Sequence, residues 1–331
     1  MKRTADKNYQ SVFRKGQKQV ERILIKSLSG RKPENLYTPA YYIIESGGKR
    51  LRPLLVLLSA KAVGGDFSDA YYAGAAVELL HNFTLVHDDI MDNAGKRRGR
   101  QTLHVKYDAD TAILAGDGLL AVAYETLLRD CNGNAKDILA DFTKGLVEVC
   151  EGQSLDKEYE TKVSISLNDY IKMIQKKTAA MLEMCCLIGA RLGKGSAGEI
   201  NALASFGRNI GIAFQIQDDL LDIVADELEF GKKIGGDLVE GKKTYLLVKA
   251  LEKAEGKYKQ QLKNLVKSKG ITPGEIQKYK KIYEELGVTE DARKQIKIYT
   301  NRSLRAISVL KKSEDREIFG WLAESLIKRM K

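Results

Sequence analysis

Apolar residues recur at i, i+3 and i+4 through long stretches of this chain, most clearly from Ala73 to Ile90 and from Ile200 to Ile223. That spacing marks a helix with one face turned to a core. Only four prolines interrupt 331 residues, enough chain to bury a sizeable interior, so the pattern predicts an all-α protein. Gly47-Gly48-Lys49-Arg50-Leu51-Arg52-Pro53 reads as a joint between two apolar helices. A second joint is expected over 254–274, where Gly256, Gly270, Pro273 and Gly274 bracket a polar stretch. No linker, short repeat or low-complexity tract divides the chain, which predicts one domain over 1–331, its C-terminal helices falling at 275–331.

Composition narrows the class. No apolar run approaches the roughly 18 residues of a membrane span, and the N-terminal MKRTADKNYQSVFRKGQKQ lacks the apolar segment of a secretory signal. Both features predict a cytoplasmic protein. Cys131, Cys150, Cys185 and Cys186 have neither zinc spacing nor the density of a disulfide scaffold, so reduced core thiols are expected. The net charge is +11, and residues 256–331 hold 19 Lys and Arg against 9 Asp and Glu. Without a nucleic-acid motif this excess reads mainly as a solvated surface that can steer anionic substrates. Weak peripheral association with anionic membranes through the basic C-terminal region is the other role it allows.

The chemistry is concentrated in two copies of Asp-Asp-x-x-Asp: Asp88, Asp89 and Asp92 in HDDIMD, and Asp218, Asp219 and Asp222 in QIQDDLLD. Each follows a helical apolar run, so the acids fall at i, i+1 and i+4, within roughly 100° of one face. One triplet alone reads equally well as a solvated acidic face. Two in similar settings favour cations that offset the repulsion, and all-oxygen ligands suit Mg²⁺ shared with a substrate phosphate. Basic residues follow in the right places. Lys49 and Arg52 flank the first joint, Arg97-Arg98-Gly99 comes after the first triplet, and FGKKIGGDLVEGKKT after the second. In that last stretch Lys232, Lys233, Lys242 and Lys243 could close over a ligand as a lid. Any one cluster reads as a solvated turn; acid then base, twice, describes a diphosphate held between metal and cations. His81 lies two helical turns before Asp88 on nearly the same face, whereas His87 and His104 read as structural.

These motifs, in this order, resemble the trans-isoprenyl diphosphate synthases, or polyprenyl synthetases, over residues 40–250. The resemblance includes GGKRLRP, the Gly152-Gln153 pair, Lys177-Thr178, and Phe214-Gln215 before the second triplet. Two positions depart from the family pattern: Gln101 and Lys233 stand where prolines are usual, which leaves open whether Lys232 or Lys233 reaches the diphosphate, Lys232 being favoured.

The resemblance implies a helical bundle around a deep central cavity, a homodimer, and Mg²⁺, three ions per site. It implies transfer of isopentenyl diphosphate onto an allylic diphosphate (dimethylallyl, geranyl or farnesyl). By the same resemblance Asp88, Asp92 and Asp218 bind metal directly and Asp89, Asp219 and Asp222 ligate it or orient its water. Arg97, Lys177, Lys232 and Lys242 clamp the allylic diphosphate; Lys49, Arg52, His81 and Arg98 hold isopentenyl diphosphate; Lys177, Thr178 and Gln215 attend the allylic cation. Phe83 and Thr84, before the first triplet, with Leu80 one turn earlier, imply a C20 product, geranylgeranyl diphosphate. Farnesyl or longer polyprenyl products stay as alternatives. A class I terpene cyclase, an HD-type phosphohydrolase and a non-catalytic subunit are more remote: the second triplet argues against the first, three clustered histidines against the second, and six intact aspartates against the third.

Overall fold

The computed structural model describes residues 2–131, 133–225 and 234–328. Helices follow the apolar periodicity: α1 (Lys2–Leu28), α2 (Glu34–Glu45), α3 (Leu51–Ala62), α4 (Tyr71–Met91), α5 (Leu103–Lys106), α6 (Ala109–Leu127), α7 (Ala135–Thr161), α8 (Leu167–Ile174), α9 (Ala180–Leu192) and α10 (Ala197–Val224). Then come α11 (Gly236–Val239), α12 (Tyr245–Lys253), α13 (Gly256–Lys267), α14 (Ile276–Glu285), α15 (Val288–Ala306) and α16 (Ser313–Lys328). The all-α expectation holds: among the described residues the only strands are β1 (Lys96–Arg97) and β2 (Arg100–Gln101), paired as a hairpin. No described helix is long and apolar enough to cross a membrane.

Two expectations need correction. The segment 254–274 is not one joint, because α13 fills most of it. Leu262 and Leu265, three residues apart, are buried and give a lysine-rich stretch a core face. Cys185 and Cys186 are buried free thiols, but Cys150 is exposed and Cys131 half-buried, since they fall on outward or boundary positions.

The residues form two compact units, one of 2–143, 184–204 and 309–321, the other of 144–183, 205–308 and 322–328. In the first, α4 is buried from Ala73 to Leu80 and packs on α3 and α6. Small residues allow the close approach: a Cβ on Gly116 of α6 would lie 2.4 Å from His87 Nε2. Asp130, just after α6, accepts a hydrogen bond from Ala73 N at 2.7 Å and so satisfies an orphan donor at the start of α4. In the second unit, α12 packs on α8 and α15, with Tyr170, Tyr245 and Tyr283 fully buried.

Candidate active site

In the first unit the joint between α2 and α3 turns through positive φ at Gly47 (73°), Gly48 (148°) and Arg50 (50°). Arg50 anchors it. Buried, it donates from Nη1 to Glu78 Oε1 at 2.7 Å and from Nη2 to the Ile44 carbonyl at 3.0 Å. Lys49 beside it is exposed, and Arg52, on the first turn of α3, lies 3.2 Å (Nη1) from His81 Nε2. A guanidinium only donates, so Nε2 accepts and the imidazole is neutral. Burial, then the charges of Arg52, Arg98, Arg97 and Arg50, push the His81 pKa well below its ordinary value.

Arg98 completes this cluster. It shares the hairpin tip with Gly99, both at positive φ (52° and 77°), as a two-residue type I′ turn requires. Its Nη1 donates to Ser46 Oγ at 3.2 Å and to the Gly47 carbonyl. A Cβ on Gly48 would stand 3.1 Å from Nη2, so the glycine gives the guanidinium room. Arg52, His81 and Arg98 thus come together beside the joint that carries Lys49.

Arg97 is engaged differently. Its Nε and Nη2 donate to Asp89 Oδ1, at 2.8 and 2.7 Å, and Asp89 is only 2% exposed. The first triplet therefore does not offer three equivalent carboxylates. Asp88 is half-buried and Asp92, the C-cap of α4, is exposed; at i and i+4 they share a face that reaches solvent. Among the described residues no three His, Cys, Asp or Glu side chains converge as a ready-made cage. Two carboxylates on one helix still fit Mg²⁺, which keeps waters and takes further ligands from a substrate phosphate.

In the second unit, Lys177 and Thr178 lie in a single π-helical turn, Gln175–Ala179. It leans on Gly152 of α7, where a Cβ would be 2.1 Å from Lys177 N. Lys177 Nζ donates to Asp156 Oδ2. Thr178 Oγ1 donates to Gln215 Oε1 at 2.9 Å, and Gln215 Nε2 to Asp219 Oδ1 at 3.0 Å. Asp219 Oδ2 accepts from Tyr170 OH at 2.6 Å and Tyr245 N at 2.8 Å. Burial, then Asp237, push the Asp219 pKa up to about 7 against those donors. Asp222 accepts from Asp237 N at 3.2 Å, and burial, then the Asp237 charge, raise it to about 6. Asp218 is half-buried. Lys242 Nζ lies 2.6 Å from Glu240 and 3.8 Å from Asp237. Lys232 and Lys233 lie outside the described residues.

Over residues 33–286 the sequence matches the family model for polyprenyl synthetase. The chain belongs to that family. It is 40% identical over 323 residues to the short chain isoprenyl diphosphate synthase of Methanothermobacter thermautotrophicus, spanning 96% of this chain and 98% of that one. It is 39% identical over 314 residues to the geranylgeranyl diphosphate synthase of Sulfolobus acidocaldarius, spanning 93% and 95%. The crystal structure of geranylgeranyl pyrophosphate synthetase from Pyrococcus horikoshii Ot3 superposes with a TM-score of 0.90 at 35% identity, covering 98% of this chain and all of the other.

On α4 of this polyprenyl synthetase, Leu80 is fully buried and Phe83 half-buried, its ring 4.6 Å from that of His87. Thr84 Oγ1 donates to the His81 carbonyl at 2.8 Å. The sequence reading missed Asp156, Tyr170 and Asp237. Asp156 stands three residues after Gln153, one helical turn along the same face, and Asp237 is the first of the two acids in GGDLVEGKK; both were findable. Tyr170 carried no local signal.

Proposed function

We propose that this polyprenyl synthetase is a chain-elongating trans-prenyltransferase that condenses isopentenyl diphosphate with an allylic diphosphate and releases geranylgeranyl diphosphate. The observation that carries this reading is the near full-length identity to short-chain and geranylgeranyl synthases, with all six aspartates present.

The family resemblance implies that Asp88 and Asp92, and likewise Asp218, would hold Mg²⁺, which would supply the charge that neutralises the departing diphosphate, Asp89, Asp219 and Asp222 supporting the ligands. By the same resemblance Arg97, Lys177, Lys232 and Lys242 would bind that diphosphate through charge-assisted hydrogen bonds. When the allylic C–O bond breaks, its electron pair leaves with the diphosphate and the carbon keeps a positive charge. Thr178 directs its proton to Gln215, so the hydroxyl lone pairs remain for that cation, and Asp219 fixes the amide that orients the hydroxyl.

Lys49, Arg52, His81 and Arg98 hold isopentenyl diphosphate. Because His81 Nε2 accepts from Arg52, its Nδ1–H is left to donate to a phosphate oxygen. The double bond of isopentenyl diphosphate attacks the cation, a C–C bond forms, and the resulting tertiary cation passes a proton to the released diphosphate.

A homodimer fits α6, which presents Ile113 and Leu114 at 43% and 60% exposure, apolar surface that a second copy would cover. The reaction is tested by incubating the purified protein with Mg²⁺, labelled isopentenyl diphosphate and each allylic primer, then measuring the chain length of the dephosphorylated products. C20 product, abolished by EDTA, is expected. No elongation with any primer overturns the reaction; a C15 or longer polyprenyl product keeps the reaction and reassigns the length.

A further inference from the structure

Helix α15 turns Val288, Thr289, Ala292, Ile296 and Ser303 into the second unit. At 100° per residue the opposite half of the helix carries Lys294, Lys297, Ile298, Arg302 and Arg305, and all five are exposed, Ile298 at 41%. The acids of this helix are occupied: Glu290 pairs with Arg293 and Asp291 with Lys253, the latter at 2.7 Å. Among the described residues none of Lys294, Lys297, Arg302 and Arg305 pairs with a carboxylate; Arg302 packs its guanidinium 5.2 Å from the Tyr299 ring instead. Four uncompensated cations therefore run along about 17 Å of helix with one exposed isoleucine among them.

We propose that this outer face of α15 docks on the anionic surface of a lipid bilayer. The charges complement anionic headgroups, each Lys or Arg at such a surface raising the partition coefficient by about fivefold. The methylene stems of the lysines can lie along the headgroups while Ile298 enters the boundary with the acyl chains. An apolar side chain at the centre of the cationic face favours a lipid surface over the bare phosphates of a nucleic acid. The C20 product of the proposed reaction would enter the bilayer beside such a surface; that purpose rests on the functional reading, while the charge pattern stands without it.

The test is co-sedimentation of the full-length protein with vesicles of phosphatidylcholine alone and of phosphatidylcholine mixed equally with phosphatidylglycerol. Binding is expected only to the mixed vesicles and should weaken as salt rises. The double variant Lys294→Glu/Lys297→Glu and, separately, Arg302→Glu/Arg305→Glu should each reduce binding by on the order of tenfold or more. The charge-matched control Lys136→Glu/Lys144→Glu, on α7, should leave it near wild type. Circular dichroism and turnover of soluble substrates establish that each variant is folded, which keeps loss of docking separate from loss of the reaction. Absence of wild-type binding to the mixed vesicles, equal loss in the control, or binding of short duplex DNA in place of vesicles with the same four-residue dependence would each overturn the proposal.

Discussion

Arg97 directs both Nε and Nη2 at one oxygen of Asp89, joining the β1–β2 hairpin to the last turn of α4. The middle acid of the first triplet is thereby neutralised by protein. Asp88 and Asp92, on the solvent-reaching face, are left as the pair suited to a cation. The second triplet is built on the same division of labour: Asp219 is turned inward onto Tyr170, Gln215 and the Tyr245 amide.

This division separates stability from turnover. Arg97→Ala should leave a buried carboxylate without its partner and, discounted for the partial exposure of the guanidinium, cost about 2 kcal/mol of folding stability. Asp88→Ala, at a half-buried position, should cost less stability than Arg97→Ala yet lower kcat by on the order of 10². Urea denaturation and steady-state rates on both variants decide the matter. Near wild-type turnover in folded Asp88→Ala would remove that residue from the metal site.

The Arg52, His81 and Arg98 cluster should be selective for one substrate. His81→Ala is expected to raise the KM for isopentenyl diphosphate far more than that for the allylic diphosphate, whereas Arg97→Ala should act mainly on the allylic side. Two-substrate kinetics measure both. Equal effects of each change on both substrates would argue against separate diphosphate sites.

The cationic cluster could be read in the sequence because its members sit on or near glycine-bearing turns whose spacing is local. Gly47-Gly48 and Arg98-Gly99 announce the turns, and a helical count places His81 two turns from Asp88. The inward role of Asp219 could not be read that way. Its donors come from Tyr170 and Tyr245, 49 and 26 residues away, and only tertiary packing brings them together. The helix α13 was misread for a related reason: its lysines dominate the composition, while two leucines three residues apart decide its burial.

Asp130 gives the stability a pH dependence of known sign. Burial raises its pKa to about 6, despite the hydrogen bonds it accepts from Ala73 and Tyr72. An unfolded aspartate titrates near about 4, so folding favours the protonated acid. Its contribution is full below about pH 4 and is lost as pH rises through about 6, up to about 3 kcal/mol by linkage. Asp130→Asn keeps an oxygen acceptor for Ala73 N without the charge. It should match wild type at about pH 4 and exceed it by about 1–3 kcal/mol at about pH 7.5. Urea midpoints at both pH values test this; a wild-type-to-variant difference that does not change with pH would mean that the carboxyl is not raised.

The product length should be set on α4. Ala76, Leu80 and Thr84 succeed one another at i+4 steps toward Asp88, so they line one side of the helix, and Phe83 stands one residue before Thr84. Ala76 and Leu80 are fully buried, and the Phe83 ring, only half-buried, rests 4.6 Å from the His87 ring, which Gly116 admits against α6. A ring fixed in this way is a firm obstacle, because tilting it aside would break its packing on His87. Removing it in Phe83→Ala should let the growing chain run further and move products toward C25 and beyond. Placing a second ring in Thr84→Phe should stop the chain earlier, toward C15, since the threonine hydroxyl bonded to the His81 carbonyl would give way to a side chain several carbons longer. Product analysis with farnesyl and geranyl primers measures both shifts. If both variants fold, turn over and still make the wild-type length, α4 does not measure the chain, and the C20 assignment would then have to stand on similarity to the geranylgeranyl synthases alone.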